Sequence, residues 1–391
     1  MAALRRPRVL AVLAGLCAVA AAGGYYFWGR QEAEAHRLQA RQAMADDDFE
    51  GAKAQLNAYL AARPNDGEAH FLLARACRRA RVEDFGQARR ELEEARRRGV
   101  SGTDAALEAE MLDVQETGLT GDREATLRDY LSSGGPGGGL APEALARGCL
   151  LDNRLNDANA WLNTWVDHAP DDWYARLWRG ALFEYLSRPN FAIADFEFVL
   201  KKRPADEEVR KRLGLMLVQS GYNYEEALKY LEPYRRNHPE DADVLVGIAR
   251  CRRALGQSEA AEAPLRQALA DHPDHVDALL TLALIESDRG DDLEALKELR
   301  RLAPLARQDH EAEGLERLRR LEPTPNHTDV SHRTRTVLNL TATVLGRLGR
   351  DEEARRYQAE TERLTKEYEG LRRRVGGTAP ADAAPPDPQG P

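Results

Sequence analysis

Four prolines, Pro170, Pro204, Pro239 and Pro273, recur at intervals of 34, 35 and 34 residues. Proline cannot continue a helix, and each of these precedes acidic or small residues that can cap the next one. So even a spacing describes equal helical units laid end to end. A unit of that length is too small to bury its own apolar face, so neighbouring units must stack. Composition agrees: Ala, Leu, Arg and Glu dominate, 31% of residues are charged and β-branched runs are scarce.

The intervening residues repeat as well. In the unit Ala242–His275, Ala249 is eighth, Gly256 fifteenth, Ala261 twentieth, Leu265 twenty-fourth, Ala268 twenty-seventh and Pro273 thirty-second. Residues 33–66 place Ala40, Phe49, Ala52, Leu56, Tyr59 and Pro64 correspondingly, and residues 173–206 place Gly180, Ala192, Phe196 and Pro204. Residues 276–309 supply Ala283, Gly290, Ala295 and Leu299 without a closing proline, and Ala342, Gly349 and Ala354 mark a unit from Arg335. One residue inserted near Asn223 leaves Leu213, Gly214, Gly221, Ala227 and Pro239 recognisable.

This pattern resembles the tetratricopeptide repeat. The resemblance implies an all-α fold, a right-handed superhelical solenoid of antiparallel helix pairs, with small residues where backbones approach and large ones such as Phe196 and Leu265 between units. Repeats are expected over 31–131 and 140–321, separated by a Gly-rich hinge at 132–139. Within the first stretch, residues 67–100 carry about two extra residues near Val82–Phe85, and 101–138 lack clear repeat signatures. A loop at 322–333 leads to a last repeat and a capping helix, Asp351 to Arg373, within 322–374. A Pro- and Ala-rich tail, 375–391, is expected to be disordered.

The N-terminus reads as a membrane anchor. Arg5, Arg6 and Arg8 precede an uncharged stretch from Val9 to Trp28, about 30 Å as a helix and enough to span a bilayer. Tyr25, Tyr26, Phe27 and Trp28 cluster at its far end, and the arginines place the short N-terminus inside and the rest on the exported, periplasmic side of a cytoplasmic membrane. A cleavable signal peptide ending at Ala18-Val19-Ala20 competes, but the apolar run continues eight residues further. Leu16 before Cys17 argues against a lipoprotein signal.

Chemistry is hard to find. Cys17, Cys77, Cys149 and Cys251 are scattered, without a Cys-x-x-Cys pair. The Gly run at 134–139 lacks the lysine of a phosphate loop. His272 and His275 straddle a helix end and read as a surface turn, whereas His310, His327 and His332, near one loop, form the weak alternative of a metal-binding enzyme. Asp46-Asp47-Asp48 and Asp291-Asp292 fall where turns and N-caps belong. Asn326 and Asn339 head glycosylation sequons, discounted because the Ala- and Arg-rich composition is of a bacterial kind. The expectation is no catalysis, no cofactor and no metal. Net charge is −9 with interleaved signs, so no nucleic acid is implied; seven lysines against 49 arginines reads as codon bias.

The resemblance further implies a concave face lined by the second, fifth, ninth, twelfth and thirteenth places of each unit. Arg41, Arg75, Arg147 and Arg250 fall at the ninth place. Arg78, Arg79 and Arg253 fall at the twelfth or thirteenth, and Tyr174, Leu177, Glu184 and Tyr185 line the middle unit beside Trp178. Stacked arginines suit acidic segments or a C-terminal carboxylate, unless they are spent on neighbouring acids such as Glu68 or Asp243. Repeats that clamp chaperone C-termini carry asparagine at the ninth place, where this chain has arginine. The implied function is a membrane-anchored scaffold or assembly factor recruiting proteins or peptides. The alternative is an envelope protein contacting cell-wall polymer through Trp161, Trp165, Trp173 and Trp178. Leu279 to Ser287 is apolar enough to pack on a second chain, which leaves a homo-oligomer open, although stacking within the chain explains it equally.

Overall fold

The computed structural model describes residues 31–80, 84–132, 140–221, 223–305 and 330–375. Among these residues all regular structure is helical and no strand occurs. Helix α1 covers residues 31–45. It is followed by α2 (Phe49–Ala62), α3 (Gly67–Arg79), α4 (Phe85–Arg97), α5 (Thr103–Thr117), α6 (Gly121–Ser132), α7 (Leu140–Leu151), α8 (Leu155–His168) and α9 (Trp173–Tyr185). Next come α10 (Pro189–Lys202), α11 (Glu207–Ser220), α12 (Tyr224–Asn237), α13 (Ala242–Ala254), α14 (Ser258–Asp271), α15 (Val276–Arg289) and α16 (Asp292–Leu305). The last two are α17 (Val330–Arg347) and α18 (Asp351–Val375). The chain divides into two compact units, the first ending at Arg179 and the second beginning at Gly180, inside α9.

The proline-phased turns are built as capping devices. Each places an N-cap two residues after the proline, and its side chain accepts from the third amide beyond. Asp66 Oδ1 accepts from Ala69 N at 3.1 Å, Asp206 from Val209 N at 3.1 Å and Asp241 from Val244 N at 3.1 Å. Asp172 Oδ1 accepts from Tyr174 N at 2.9 Å and Ala175 N at 3.3 Å. His275 occupies the same place, its Nδ1 accepting from Ala278 N at 3.2 Å; His272-Pro-Asp-His275 is a cap. Such caps satisfy amides that the first helical turn leaves unpaired, worth about 1 kcal/mol each. Asp48 caps α2 likewise, whereas Asp47 turns back with φ +52°.

Within each unit, small residues set the spacing. In the second unit a methyl on Gly180 would stand 2.8 Å from the Phe196 ring, and one on Gly214 2.5 Å from Leu231. The large residues between pairs, Leu56 in unit 1 and Phe196 and Leu265 in unit 2, are buried.

Several expectations shift. The loop at 322–333 ends early, because α17 begins at Val330 and continues with buried Val337, Leu338, Val344 and Leu345 on one face. The capping helix extends from Asp351 to Val375. The boundary between the compact units falls within α9, not at the Gly-rich stretch, whose residues 133–139 lie outside the described residues. α3 before that stretch and α7 after it are joined by Arg78–Glu143 at 2.8 Å, so the helices on its two sides belong to one body. Leu279, Leu280, Ala283 and Ile285 of α15 are buried inside unit 2, which leaves little apolar face for a second chain. The anchor of residues 9–28 and the tail after Val375 lie outside the described residues. No described helix is long and apolar enough to cross a membrane.

Gly214→Ala tests the close approach. The gain in helix propensity is about 1 kcal/mol, but fully buried Leu231 has to move. The net expectation is a loss of about 1–2 kcal/mol, read as a lower thermal midpoint by circular dichroism; an unchanged or higher midpoint contradicts the tight fit.

Candidate functional site

The arginines expected to line one accessible face fall into two different environments. In unit 1 they are mostly buried. Arg78 is 0% exposed, donating from Nε to Glu108 Oε1 at 2.5 Å and from Nη1 to Glu143 Oε1 at 2.8 Å. Arg75 donates to the other oxygen of Glu108 at 3.2 Å and covers the Phe71 ring at 4.9 Å. Arg147, 4% exposed, lies 4.8 Å from the Trp178 ring, and its Nη1 is 3.7 Å from Glu143 Oε1. Arg79 touches Asp47, Glu143 and Asp172 at 3.4, 3.1 and 3.0 Å. Its contact with Glu143 lies off the N–H direction, an ion contact without a hydrogen bond. Tyr174 and Leu177 are buried beside them.

These placements correct the reading of Arg78, Arg147, Tyr174 and Leu177 as groove residues open to a partner. The physical reason is that a desolvated guanidinium needs a carboxylate, and this unit supplies its own. Burial pulls down on Arg78 and Arg79, yet the adjacent carboxylates, Glu143 foremost for Arg79 and Glu108 for Arg78, outweigh it and push both up. Burial wins at Arg147: with Arg78 and Arg79 repelling it too, it is drawn down to about 10. Asp47, a quarter exposed, is pushed up to about 6 by burial against the pull of Arg79.

The arginines nearer the two ends stay accessible. Arg41, with 51% of its side chain exposed, pairs with Glu68 at 2.9 Å. In unit 2, Arg250 (26% exposed) pairs with Asp277 at 2.8 Å, and its Nε donates to Thr281 Oγ1 at 3.3 Å. Arg253 (31% exposed) pairs with Asp288 at 2.8 Å. Arg41–Glu68 and Arg250–Asp277 share one geometry, the ninth place of a unit reaching the second place of the next. Glu184 is buried against Arg212 at 2.5 Å, and Tyr185 is half-buried. The residues that sequence reasoning missed are the acids Glu108, Glu143 and Asp172. Glu143 stands at the fifth place of its unit, so the place rule itself flags it. Asp172 is legible as a cap, but Glu108 lies where no repeat phase can be read.

The other candidates settle into structure. Trp165 and Trp178 are buried, which withdraws these two from a platform for sugar rings, and Trp161 and Trp173 are half-buried. No group of metal-ligating side chains occurs among the described residues. His310 and His327 lie outside these residues, and His332 sits in the first turn of α17. Burial pushes the thiols of Cys77, Cys149 and Cys251 up to about 12, far from a nucleophile's range.

With this geometry in hand, comparison identifies the repeats in part of the chain. The tetratricopeptide repeat family model matches residues 37–81, 223–266 and 249–310, so the repeats of these stretches are tetratricopeptide repeats. Comparison with curated proteins returns no match. Among solved structures, MamA (residues 41 to the end) from Desulfovibrio magneticus RS-1 is 21% identical, with 48% of this chain and 98% of that one covered at a TM-score of 0.36. A tetratricopeptide repeat protein from Parabacteroides merdae is 16% identical over 74% of this chain and 99% of its own, at 0.35. YrrB, a tetratricopeptide protein with an unusual peptide-binding site, is 15% identical over 57% and 95%, at 0.35.

Two substitutions probe these charges. Glu143→Gln leaves Arg78, Arg79 and Arg147 short of one anion, and the expected loss is about 3–5 kcal/mol. Denaturant unfolding followed by tryptophan fluorescence measures it, and a loss below about 1 kcal/mol, the range of exposed pairs, refutes a buried network. In unit 2, burial, with Glu298 and Glu294 nearby, raises Glu286 from 4.5 to about 7. The folded protein therefore holds a proton there that the unfolded chain has released, and stability falls as pH rises from 4.5 to about 7. Glu286→Gln is expected to flatten that decline in thermal midpoint; an identical pH profile refutes the assignment.

Proposed function

We propose that this protein is a non-enzymatic scaffold that recruits other proteins on the arginine-bearing face of α13 in unit 2. The observation that carries the reading is the Arg250–Arg253 row. It lies inside both matched repeats, 223–266 and 249–310, and its two guanidinium groups are a quarter to a third exposed with carboxylate partners one unit away. The Arg253–Asp288 pair is partly exposed and holds together weakly, so an acidic segment of a partner displaces Asp288 at little cost and gains bidentate bonds in return, while Arg250 stays oriented on buried Asp277. Tetratricopeptide repeats are generally protein-binding modules. The scaffold is anchored through the uncharged stretch Val9 to Trp28, with its repeats on the exported side.

Site-specific photo-crosslinkers in the full-length protein test the recruiting face. A crosslinker at Arg253 is expected to trap a discrete partner that Arg250→Glu abolishes, whereas one at Arg266, exposed on α14, traps none. Adducts at Arg266 alone move recruitment off this face and overturn the reading. Anchoring has its own measurement. The full chain is expected to stay with membranes through alkaline extraction, and deletion of residues 1–30 is expected to release it; release of the intact chain refutes the anchor.

A further inference from the structure

In a stack of helix pairs, each unit touches only its neighbours. Unit 1 departs from that rule at Arg78, which reaches Glu143, and over a longer span at Arg79. Arg79 ends the first helix of the second repeat, yet its Nη2 donates across 93 residues to Asp172, the cap between the fourth and fifth repeats, at 3.0 Å. Its other side faces back to the first unit, where Nη1 meets Asp47 at 3.4 Å. The guanidinium carbon stands 4.4 Å from the Phe49 ring, 5.3 Å from Tyr174 and 5.9 Å from Trp165. The rings complete the contact without Arg79, since Phe49 of the first unit meets Tyr174 of the fifth edge-on at 5.9 Å. Trp165 Nε1 donates to the same Asp172 oxygen at 3.1 Å, so that carboxylate is held for Arg79 from behind.

We propose that Arg79 is an internal latch that closes the first helix pair of unit 1 onto the fourth and fifth and keeps the buried arginine cluster of this unit paired from within. Arginines Arg75, Arg78, Arg79 and Arg147 face an equal number of the unit's own acids, Asp47, Glu108, Glu143 and Asp172. The positions an acidic partner segment would need are therefore filled from within. The latch has two sides that release independently in chemical terms, a cation over aromatic faces and a cation between carboxylates. It stands whether or not α13 recruits a partner, because it concerns unit 1 alone.

Thermodynamic coupling in the full-length chain tests the latch, because all five tryptophans precede Gly180 and fluorescence thus reports on the N-terminal region alone. Leu56→Ala weakens the packing of the first pair, where Leu56 is buried among Ala52, Tyr59, Ala69 and Leu73. With the latch intact it is expected to lower the midpoint of the tryptophan-reported transition by several degrees, and with Arg79→Met present by only a fraction of that. Phe49→Leu, which keeps apolar bulk but removes the ring beneath the cation, repeats the cycle and carries it alone if Arg79→Met does not fold. In both latch variants, α1 and α2 are expected to exchange amide hydrogens faster while α13 to α16 do not change. No shift from Leu56→Ala with the latch intact overturns the proposal. An undiminished shift in the latch variants overturns it too, because coupling then runs through the stacked pairs.

Discussion

A pair of helices with an apolar stripe cannot keep that stripe from water by itself, and everything else in this protein follows from the need to stack. Stacking demands that adjacent backbones approach, so Gly180 and Gly214 stand where a methyl would strike Phe196 or Leu231. It also demands that each pair end on time, which the prolines and their caps ensure. His275 shows that the demand concerns geometry more than residue type, since an imidazole nitrogen accepts the amide that aspartate takes elsewhere.

Stacking repeats also brings the same places of successive units face to face, and charge then has to be arranged. Arginine at the ninth place reaches an acid at the second place of the next unit in Arg41–Glu68, where the face stays wet, and in Arg250–Asp277, where the acid is buried. The exposed pair Arg41–Glu68 adds little stability in water, but it orients the guanidinium and leaves it open to exchange. Where the face is dry, the same residue types form the Arg78–Glu108–Glu143 network, and losing one member strands the others. One sequence signature thus has two physical outcomes, decided by solvent.

That contrast bears on function. The accessible row on α13 suits recruitment, and the closed cluster of unit 1 suits shape. Pairing within unit 1 keeps Arg78, Arg79 and Arg147 from binding acids indiscriminately.

The helix pairs, their turns and the positions of closest approach were legible in the sequence, because proline geometry, capping and the absence of a β-carbon act locally and repeat at a fixed period. The recurring places of Arg41, Arg250 and Arg253 in their units were legible for the same reason. The fate of Arg78, Arg79 and Arg147 was not. Glu143 lies 65 residues from Arg78 and Asp172 93 from Arg79, beyond any neighbouring unit, Arg147 is covered by Trp178 of the next unit, and Glu108 sits in a stretch without readable phase. The sequence by itself determined a stack of tetratricopeptide-type helix pairs with arginines at recurring places. Only the tertiary structure decided which of those arginines meet water and which are buried, because burial depends on how units far apart in the chain close on one another, and no local period encodes that.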